Sequence, residues 1–209
     1  MLPVRVFFSK TGLARYISHL DMQRAVRRAL ERSGLEIGRT EGFNPHPKMV
    51  FSMPLSMYQE SLCEFLDISV GGDVSYDGIT ERLAAVFPPG FEVLRAAAPV
   101  IAAKSIKYAA YRIIMDTDMS AAEARKILSG PMPVEKRGKG GTKIVDIAPM
   151  IKSASVTAGA GTLVIDAVVN ASGESYLNPA YIVSFLAPGC AFSRVTRLSF
   201  LDADGRAFA

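Results

Sequence analysis

The order of strand-like and helix-like segments limits the fold of this chain more than any other feature. In the first half, residues 3–8 alternate apolar and polar side chains as in a strand. Ser18 and Asp21 form an S-x-x-D capping box, which predicts a helix to about residue 34. Its apolar stripe consists of Met22, Val26, Ala29 and Leu30. The elements that follow are strands at about 48–53 and 62–70, a helix at about 77–87 and a strand at 91–97.

The same order, β-α-β-β-α-β, recurs in the second half. Ser120 and Glu123 form a second capping box, and Asn178 with Pro179 opens a last helix to about residue 187. Strands are predicted at 107–116, 132–136, 143–147, 151–157, 162–169 and 192–201. This half therefore has one hairpin more than the first, around the basic loop 136–143.

Two copies of this order indicate an α+β protein with two tandem ferredoxin-like (βαββαβ) domains and antiparallel sheets. We place the first domain at residues 1–99 and the second at 104–209, with the extra hairpin in the second. Apolar residues make up 49% of the 209, which is enough to fill packed cores.

The net charge of +4 is the sum of segments of opposite sign. Residues 1–50 carry nine Lys/Arg against four Asp/Glu, and residues 104–152 carry ten against five. Residues 51–103 carry two against seven. Basic clusters on one face are expected for proteins that bind a nucleic-acid backbone or an acidic partner. The alternative is that these Arg and Lys side chains are solvated on helix faces.

Neither a membrane anchor nor a cofactor site is indicated. The first residues lack the basic segment and apolar run of a secretory signal, and no stretch approaches the roughly 18 apolar residues of a membrane span. We therefore expect a cytoplasmic protein. Cys63 and Cys190 have no thiol or imidazole at metal-ligand spacing, so no cofactor is expected.

Both histidines lie in short polar runs near the start of the chain, and the first run is residues 15–21. His19 follows the predicted helix cap, with Lys10 and Arg15 in the preceding loop. A helix N-terminus offers unpaired N–H groups and the positive end of a dipole, so this run can hold a phosphate. The exposed face of the helix carries Arg24, Arg27 and Arg28.

The second run is residues 42–48. Pro45 and Pro47 restrict the backbone of the residues before them, so the segment should be stiff. We expect Phe43 to anchor it in the core. The side chains left to project are Asn44, His46 and Lys48. The alternative is a structural turn in which Asn44 and His46 satisfy backbone groups.

The two runs are expected to lie apart. In a β-α-β-β arrangement, the loop before the first helix and the loop after it are at opposite ends of the sheet. This separation argues against His19 and His46 acting as an acid–base pair, although a site that uses either one stays open. The candidate binding residues are Lys10, Arg15, His19, Arg24, Arg27, Arg28, Asn44, His46 and Lys48.

Several motifs resemble one known family. They are K-x-G-x-x-R-Y-I-S-H-L-D at 10–21, G-F-N-P-H-P-K at 42–48, M-P-L at 53–55, S-x-x-E-F-x-D at 61–67 and D-I-x-P at 146–149. Together they resemble the radical-SAM-linked protein family, DUF2344, a bacterial domain of unknown function found beside or fused behind radical SAM proteins. Ala148 stands where this family commonly has arginine.

The resemblance implies a radical SAM protein as partner. The chain has no C-x-x-x-C-x-x-C and only two cysteines, so it cannot itself hold the cluster of a radical enzyme. Our leading hypothesis is a non-catalytic accessory module that binds RNA, such as tRNA or rRNA, or presents substrate to this partner. The alternatives are a metal-independent, ribonuclease-like enzyme that uses His19 or His46, and a protein–protein adaptor.

Overall fold

The computed structural model describes residues 1–138 and 141–208 of the chain. They form a mixed α+β protein with mostly antiparallel strands and, within the described residues, four α-helices. The chain divides into two compact units, Met1–Ala103 and Lys104–Ala209. No helix in the described part of the chain is long and apolar enough to cross a membrane.

Unit 1 follows the order β-α-β-β-α-β. Its elements are β1 (Leu2–Lys10), α1 (His19–Arg32), β2 (Val50–Phe51), β3 (Gln59–Val70), α2 (Tyr76–Ala84) and β4 (Phe91–Ala97). The strands pair antiparallel in the order β4-β1-β3-β2. A 3₁₀ helix, Gly12–Tyr16, connects β1 to α1.

The core of unit 1 lies between this sheet and the two helices. Val4, Val6 and Phe8 lie on the face of β1 that packs into this core. The predicted stripe of α1 is confirmed, since all four of its residues are buried. α2 adds Ile79 and Leu83 to the same core. Ser18 caps α1 as predicted, because its hydroxyl accepts a hydrogen bond from the Asp21 amide at 3.1 Å.

β2 is shorter than predicted. The sequence predicts residues 48–53, but only Val50–Phe51 pair as a strand with β3. Pro47 has no amide proton, and the Lys48 amide donates to the Gly38 carbonyl at 2.8 Å instead of to β3. The segment before β2 therefore pairs with residues 38–39, and we call residues 39–48 the braced loop.

Unit 2 repeats the alternation of strands and helices with one additional hairpin. Its elements are β5 (Tyr108–Asp116), α3 (Ala121–Leu128), β6 (Pro133–Gly138), β7 (Gly141–Asp146), β8 (Ile151–Gly159), β9 (Thr162–Asn170), α4 (Ala180–Leu186) and β10 (Ser193–Leu201). Antiparallel pairing gives the order β10-β5-β9-β8, and β6 and β7 form a separate two-stranded sheet. Lys139, in the basic loop predicted at the tip of this hairpin, lies outside the described residues.

Candidate functional site

Two exposed tyrosines lie beside the start of α1. Tyr16 ends the 3₁₀ helix and is 44% exposed, and Tyr58 precedes β3 and is 66% exposed. Their rings meet edge to face with centroids 5.9 Å apart. The Arg15 guanidinium lies 4.7 Å from the centroid of the Tyr16 ring and donates a hydrogen bond to its hydroxyl. We call Tyr16 and Tyr58 the tyrosine platform.

The position of Tyr58 depends on a backbone contact. Its φ of 68° lies in the left-handed region, which residues other than glycine rarely adopt. Its amide donates a 2.7 Å hydrogen bond to the Arg15 carbonyl, which ties residue 58 to the 3₁₀ helix. Tyr58 is not predictable from the sequence, because nothing in the local pattern around it indicates that its ring meets Tyr16.

The arginines of α1 differ in their surroundings. Arg24 and Arg28 are exposed, whereas Arg27 is half-buried. Arg24 forms an exposed ion pair with Asp21, whose carboxylate lies 3.1 Å from the guanidinium. A hydrogen bond from the Ser18 hydroxyl is the main reason why the pKa of Asp21 lies below its usual value, and Arg24 lowers it further. The outer face of α1 therefore offers two accessible guanidinium groups.

His19 is the first residue of α1 and is half-buried. Its ring packs edge to face on Phe51 of β2, with centroids 5.8 Å apart. Its Nε2 atom lies 3.0 Å from Nε2 of the Gln23 side chain, one turn further along the helix. The imidazole thus helps to seat the start of α1 against the sheet.

The loop position predicted for Lys10 was wrong. Lys10 is the last residue of β1, pairs with Ser61 of β3 and is only 1% exposed. Its ammonium nitrogen lies 3.4 Å from the Ile17 carbonyl oxygen. β1 extends further than the alternation of residues 3–8 indicated, because β3 provides a partner strand along its whole length. A buried ammonium is not placed to meet a phosphate from solvent, so Lys10 is not part of the exposed basic surface.

The second run forms the braced loop, residues 39–48. The Thr40 amide donates to the His46 carbonyl at 2.9 Å, and the His46 amide donates back to the Thr40 hydroxyl at 3.2 Å. The Nδ1 atom of His46 lies 3.1 Å from the same hydroxyl and 3.3 Å from the Asn44 carbonyl. One Arg39 guanidinium nitrogen donates to the Pro45 carbonyl at 3.3 Å. These bonds close the loop at its base and leave residues 41–45 exposed.

The prediction that Phe43 anchors this run in the core was wrong. Phe43 is fully exposed, and Pro47 is the buried residue of the run. The hydrogen bonds between Thr40 and His46 close the loop before its tip can reach the core. The side chains of Asn44, His46 and Lys48 are also exposed.

The residues that precede the two runs are anchored at opposite ends of β3. The Gly12 amide donates to the Glu60 carboxylate at 3.0 Å, next to the first residue of the strand. The Gly38 amide, directly before the braced loop, donates to the Ser69 carbonyl at 2.8 Å, next to the last residue of the strand. At about 3.3 Å per residue, these anchors are roughly 30 Å apart along the strand. The described contacts of His19 are with Phe51 and Gln23, and those of His46 are with Thr40 and Asn44, so these contacts do not join the two imidazoles as an acid–base pair.

The S-x-x-E-F-x-D motif at residues 61–67 has a structural explanation. Asp67 forms a two-pronged ion pair with Arg5, at 2.7 and 2.8 Å, across β1 and β3. The Arg5 guanidinium also lies 4.1 Å from the centroid of the Phe65 ring. Glu64 is buried and accepts a hydrogen bond from the Ser52 hydroxyl at 3.2 Å. The motif thus joins β1, β2 and β3.

The D-I-x-P motif at residues 146–149 shapes the base of the additional hairpin. The Asp146 carboxylate accepts hydrogen bonds from the Met132 amide at 2.8 Å and from the Ala148 amide at 3.0 Å. Among the described residues, no group of three or more His, Cys, Asp or Glu side chains is arranged to hold a metal ion.

A protein-family model matches most of the chain. The model of the DUF2344 family, described as an uncharacterized protein conserved in bacteria, matches residues 4–179, which include both histidine-bearing runs and the tyrosine platform. No curated protein matches the chain. The match covers most of the sequence, so the chain belongs to the DUF2344 family of bacterial proteins.

Proposed function

We propose that this protein is a non-catalytic, RNA-binding accessory module. The tyrosine platform beside Arg15 is the observation that carries the proposal. RNA-binding proteins recognise unpaired bases by stacking them on aromatic rings or guanidinium planes, and they contact the phosphates with basic side chains. Tyr16 and Tyr58 offer exposed rings, and Arg15 adds a guanidinium plane against one of them.

The outer face of α1 supports the same function. Arg24 and Arg28 are exposed one turn apart on the helix that begins beside the platform. A phosphate can replace Asp21 as the partner of Arg24, because an exposed ion pair contributes little free energy. Phosphate contacts of this kind give affinity without sequence selectivity.

The braced loop supplies the polar groups for selectivity in this proposal. Asn44 and His46 are exposed and can bond to base edges, whereas Lys48 can meet a phosphate. Lying at the other end of β3, the loop would contact a different part of the RNA than the tyrosine platform does.

We regard units 1 and 2 as tandem ferredoxin-like domains, with the β6–β7 hairpin inserted into the second. The support is the agreement between the strand orders β4-β1-β3-β2 and β10-β5-β9-β8 when equivalent elements are matched. The resemblance of residues 10–21 and 42–48 to radical-SAM-linked proteins supports a radical SAM enzyme as the partner, in the cytoplasm.

Binding of total bacterial tRNA at two salt concentrations tests the proposal. Between about 50 and about 200 mM salt, several phosphate contacts should weaken the affinity of the wild-type protein tenfold or more. The double variant Arg24→Ala/Arg28→Ala should lower the slope of log affinity against log salt by about 1 to 2. Tyr58→Ala should weaken binding about tenfold without changing that slope.

A matched control is Arg206→Ala, since Arg206 is also an exposed arginine in an ion pair, with Asp204 at 3.3 Å. It should leave both affinity and slope unchanged. If the wild-type protein fails to bind tRNA at low salt, or if binding does not depend on salt, the RNA-binding function is wrong.

A protein–protein adaptor is the second candidate, because two leucines near the platform are exposed. Leu13 lies in the 3₁₀ helix and Leu20 in the first turn of α1. A radical SAM partner that copurifies after nuclease treatment, and is lost in Leu13→Ser/Leu20→Ser, would favour the adaptor function.

A further inference from the structure

Phe43 occupies an unusual position for a phenylalanine. It lies at the tip of the braced loop with its side chain fully exposed. Binding residues are often found on loops that a rigid scaffold holds in place, and an aromatic ring in solvent on such a loop is available to stack on a flat ligand.

The backbone around Phe43 is restricted on both sides. Gly42 has a φ of 124°, which residues with a Cβ atom rarely adopt, and Pro45 follows two residues later. The hydrogen bonds between Thr40 and His46 close the base of the loop. Because the loop is held before any ligand arrives, little conformational entropy is lost when the ring is covered.

The neighbours of Phe43 favour a single flat ligand. Gly42 and Asn44 flank it in the chain, and the other exposed residues of the loop tip are Glu41 and Pro45. A protein partner would need a contiguous apolar patch, usually of a few hundred Å². One isolated ring instead offers a stacking face of about the size of one base.

The small net charge of the braced loop favours stacking on a base over electrostatic attraction to the RNA phosphates. Arg39 and Lys48 contribute two positive charges and Glu41 one negative, so residues 39–48 have a formal net charge of +1 with His46 neutral. This charge is too small for strong attraction to phosphates, yet it does not repel RNA. The contribution of Phe43 to binding should therefore be nearly independent of salt.

We propose that Phe43 is the stacking platform for one unpaired base of the bound RNA, with the Asn44 amide beside it to bond to the base edge. The proposal rests on the RNA-binding function and adds a recognition element to it: an unpaired nucleotide, contacted at the opposite end of β3 from the tyrosine platform.

Ultraviolet cross-linking to total bacterial tRNA tests this proposal directly. Trypsin cleaves after Arg39 and Lys48 and so releases residues 40–48, in which Phe43 is the only phenylalanine, tyrosine or tryptophan. Mass spectrometry of the irradiated wild-type complex should find a nucleotide adduct at Phe43. Phe43→Ala should lose this adduct and bind tRNA about tenfold more weakly, with the same salt slope as the wild-type protein.

Two further variants separate stacking from other effects. Phe43→Trp should retain binding, because indole also stacks on bases. Val100→Ala is the matched control: Val100 is another exposed apolar residue outside the helices and strands, and its replacement should leave affinity and adduct unchanged.

These experiments distinguish the role of Phe43 from RNA binding by the protein as a whole. If the wild-type protein binds tRNA but Phe43→Ala binds equally well, or if adducts form only at Tyr16 and Tyr58, the role of Phe43 is wrong and the RNA-binding function stands. If the wild-type protein binds no tRNA, both the RNA-binding function and the role of Phe43 are wrong.

Discussion

Arg5 and Asp67 face each other across β1 and β3 as a two-pronged ion pair in which the arginine is only 2% exposed. Unit 2 has the equivalent pair, since Arg112 and Asp166 face each other across β5 and β9 at 2.7 and 2.9 Å. Each unit thus carries an Arg–Asp pair across two neighbouring strands, which is further support for the tandem arrangement proposed above. The pairs differ in environment, because Arg112 and Asp166 are both about half exposed.

Because the two ion pairs differ in burial, removing the aspartate of each should lower the stability of the protein by different amounts. Asp67→Ala leaves the buried Arg5 guanidinium without its carboxylate and should destabilise the protein by about 3 kcal/mol. Asp166→Ala removes an ion pair of the same geometry at an exposed position and should lower the free energy of unfolding by less than about 1 kcal/mol. Urea denaturation of both variants measures the difference. Equal costs would show that the burial of Arg5 does not matter.

Asp166 should also contribute to the pH dependence of stability. Its hydrogen bond to Arg112 is the main reason why its pKa in the folded protein lies below the reference value of 3.8. A carboxyl group with a lowered folded-state pKa stabilises the protein above that reference value, and the contribution is lost as the pH falls through the folded pKa. Asp166→Asn should therefore unfold with a shallower pH dependence below pH 3.8 than the wild-type protein. An unchanged slope in acid unfolding titrations would contradict this.

Replacement of Tyr58 should separate stability from binding. Because its φ of 68° is unfavourable for any residue with a Cβ atom, Tyr58→Gly should be more stable than Tyr58→Ala by about 1 kcal/mol. Both variants lose the ring, so both should bind tRNA equally weakly. Urea denaturation and a binding titration on the two proteins check these outcomes. A glycine variant that is less stable than the alanine variant would contradict the role assigned to the backbone.

We expect that the protein does not cleave RNA through either histidine, because His19 packs on Phe51 and His46 bonds to Thr40 and Asn44 within its own loop. His19→Ala should destabilise the protein, because it removes the contact with Phe51, but it should not change the rate at which labelled RNA decays. His46→Ala should weaken binding and likewise leave that rate unchanged. A wild-type cleavage rate that falls in either variant would restore the ribonuclease-like enzyme.

Local chemistry was sufficient to predict much of the scaffold. Ser18 and Ser120 cap the helices that follow them, because capping involves groups only a few residues apart. The apolar stripe from Met22 to Leu30 was predictable because helical periodicity alone decides which side chains share a face. The exposure of Asn44 and His46 agrees with the expectation from the proline-stiffened run.

The candidate site depended on contacts between distant parts of the chain. Pairing with β3 buries Lys10, and the hydrogen bonds between Thr40 and His46 hold Phe43 out in solvent. Tyr58 meets Tyr16 only because its amide bonds to the Arg15 carbonyl, 43 residues earlier in the chain. The sequence by itself therefore determined the order of elements and their buried faces, since these follow from periodicity and caps. Tertiary structure decided which polar and aromatic side chains reach solvent together, because that depends on strand register and loop closure.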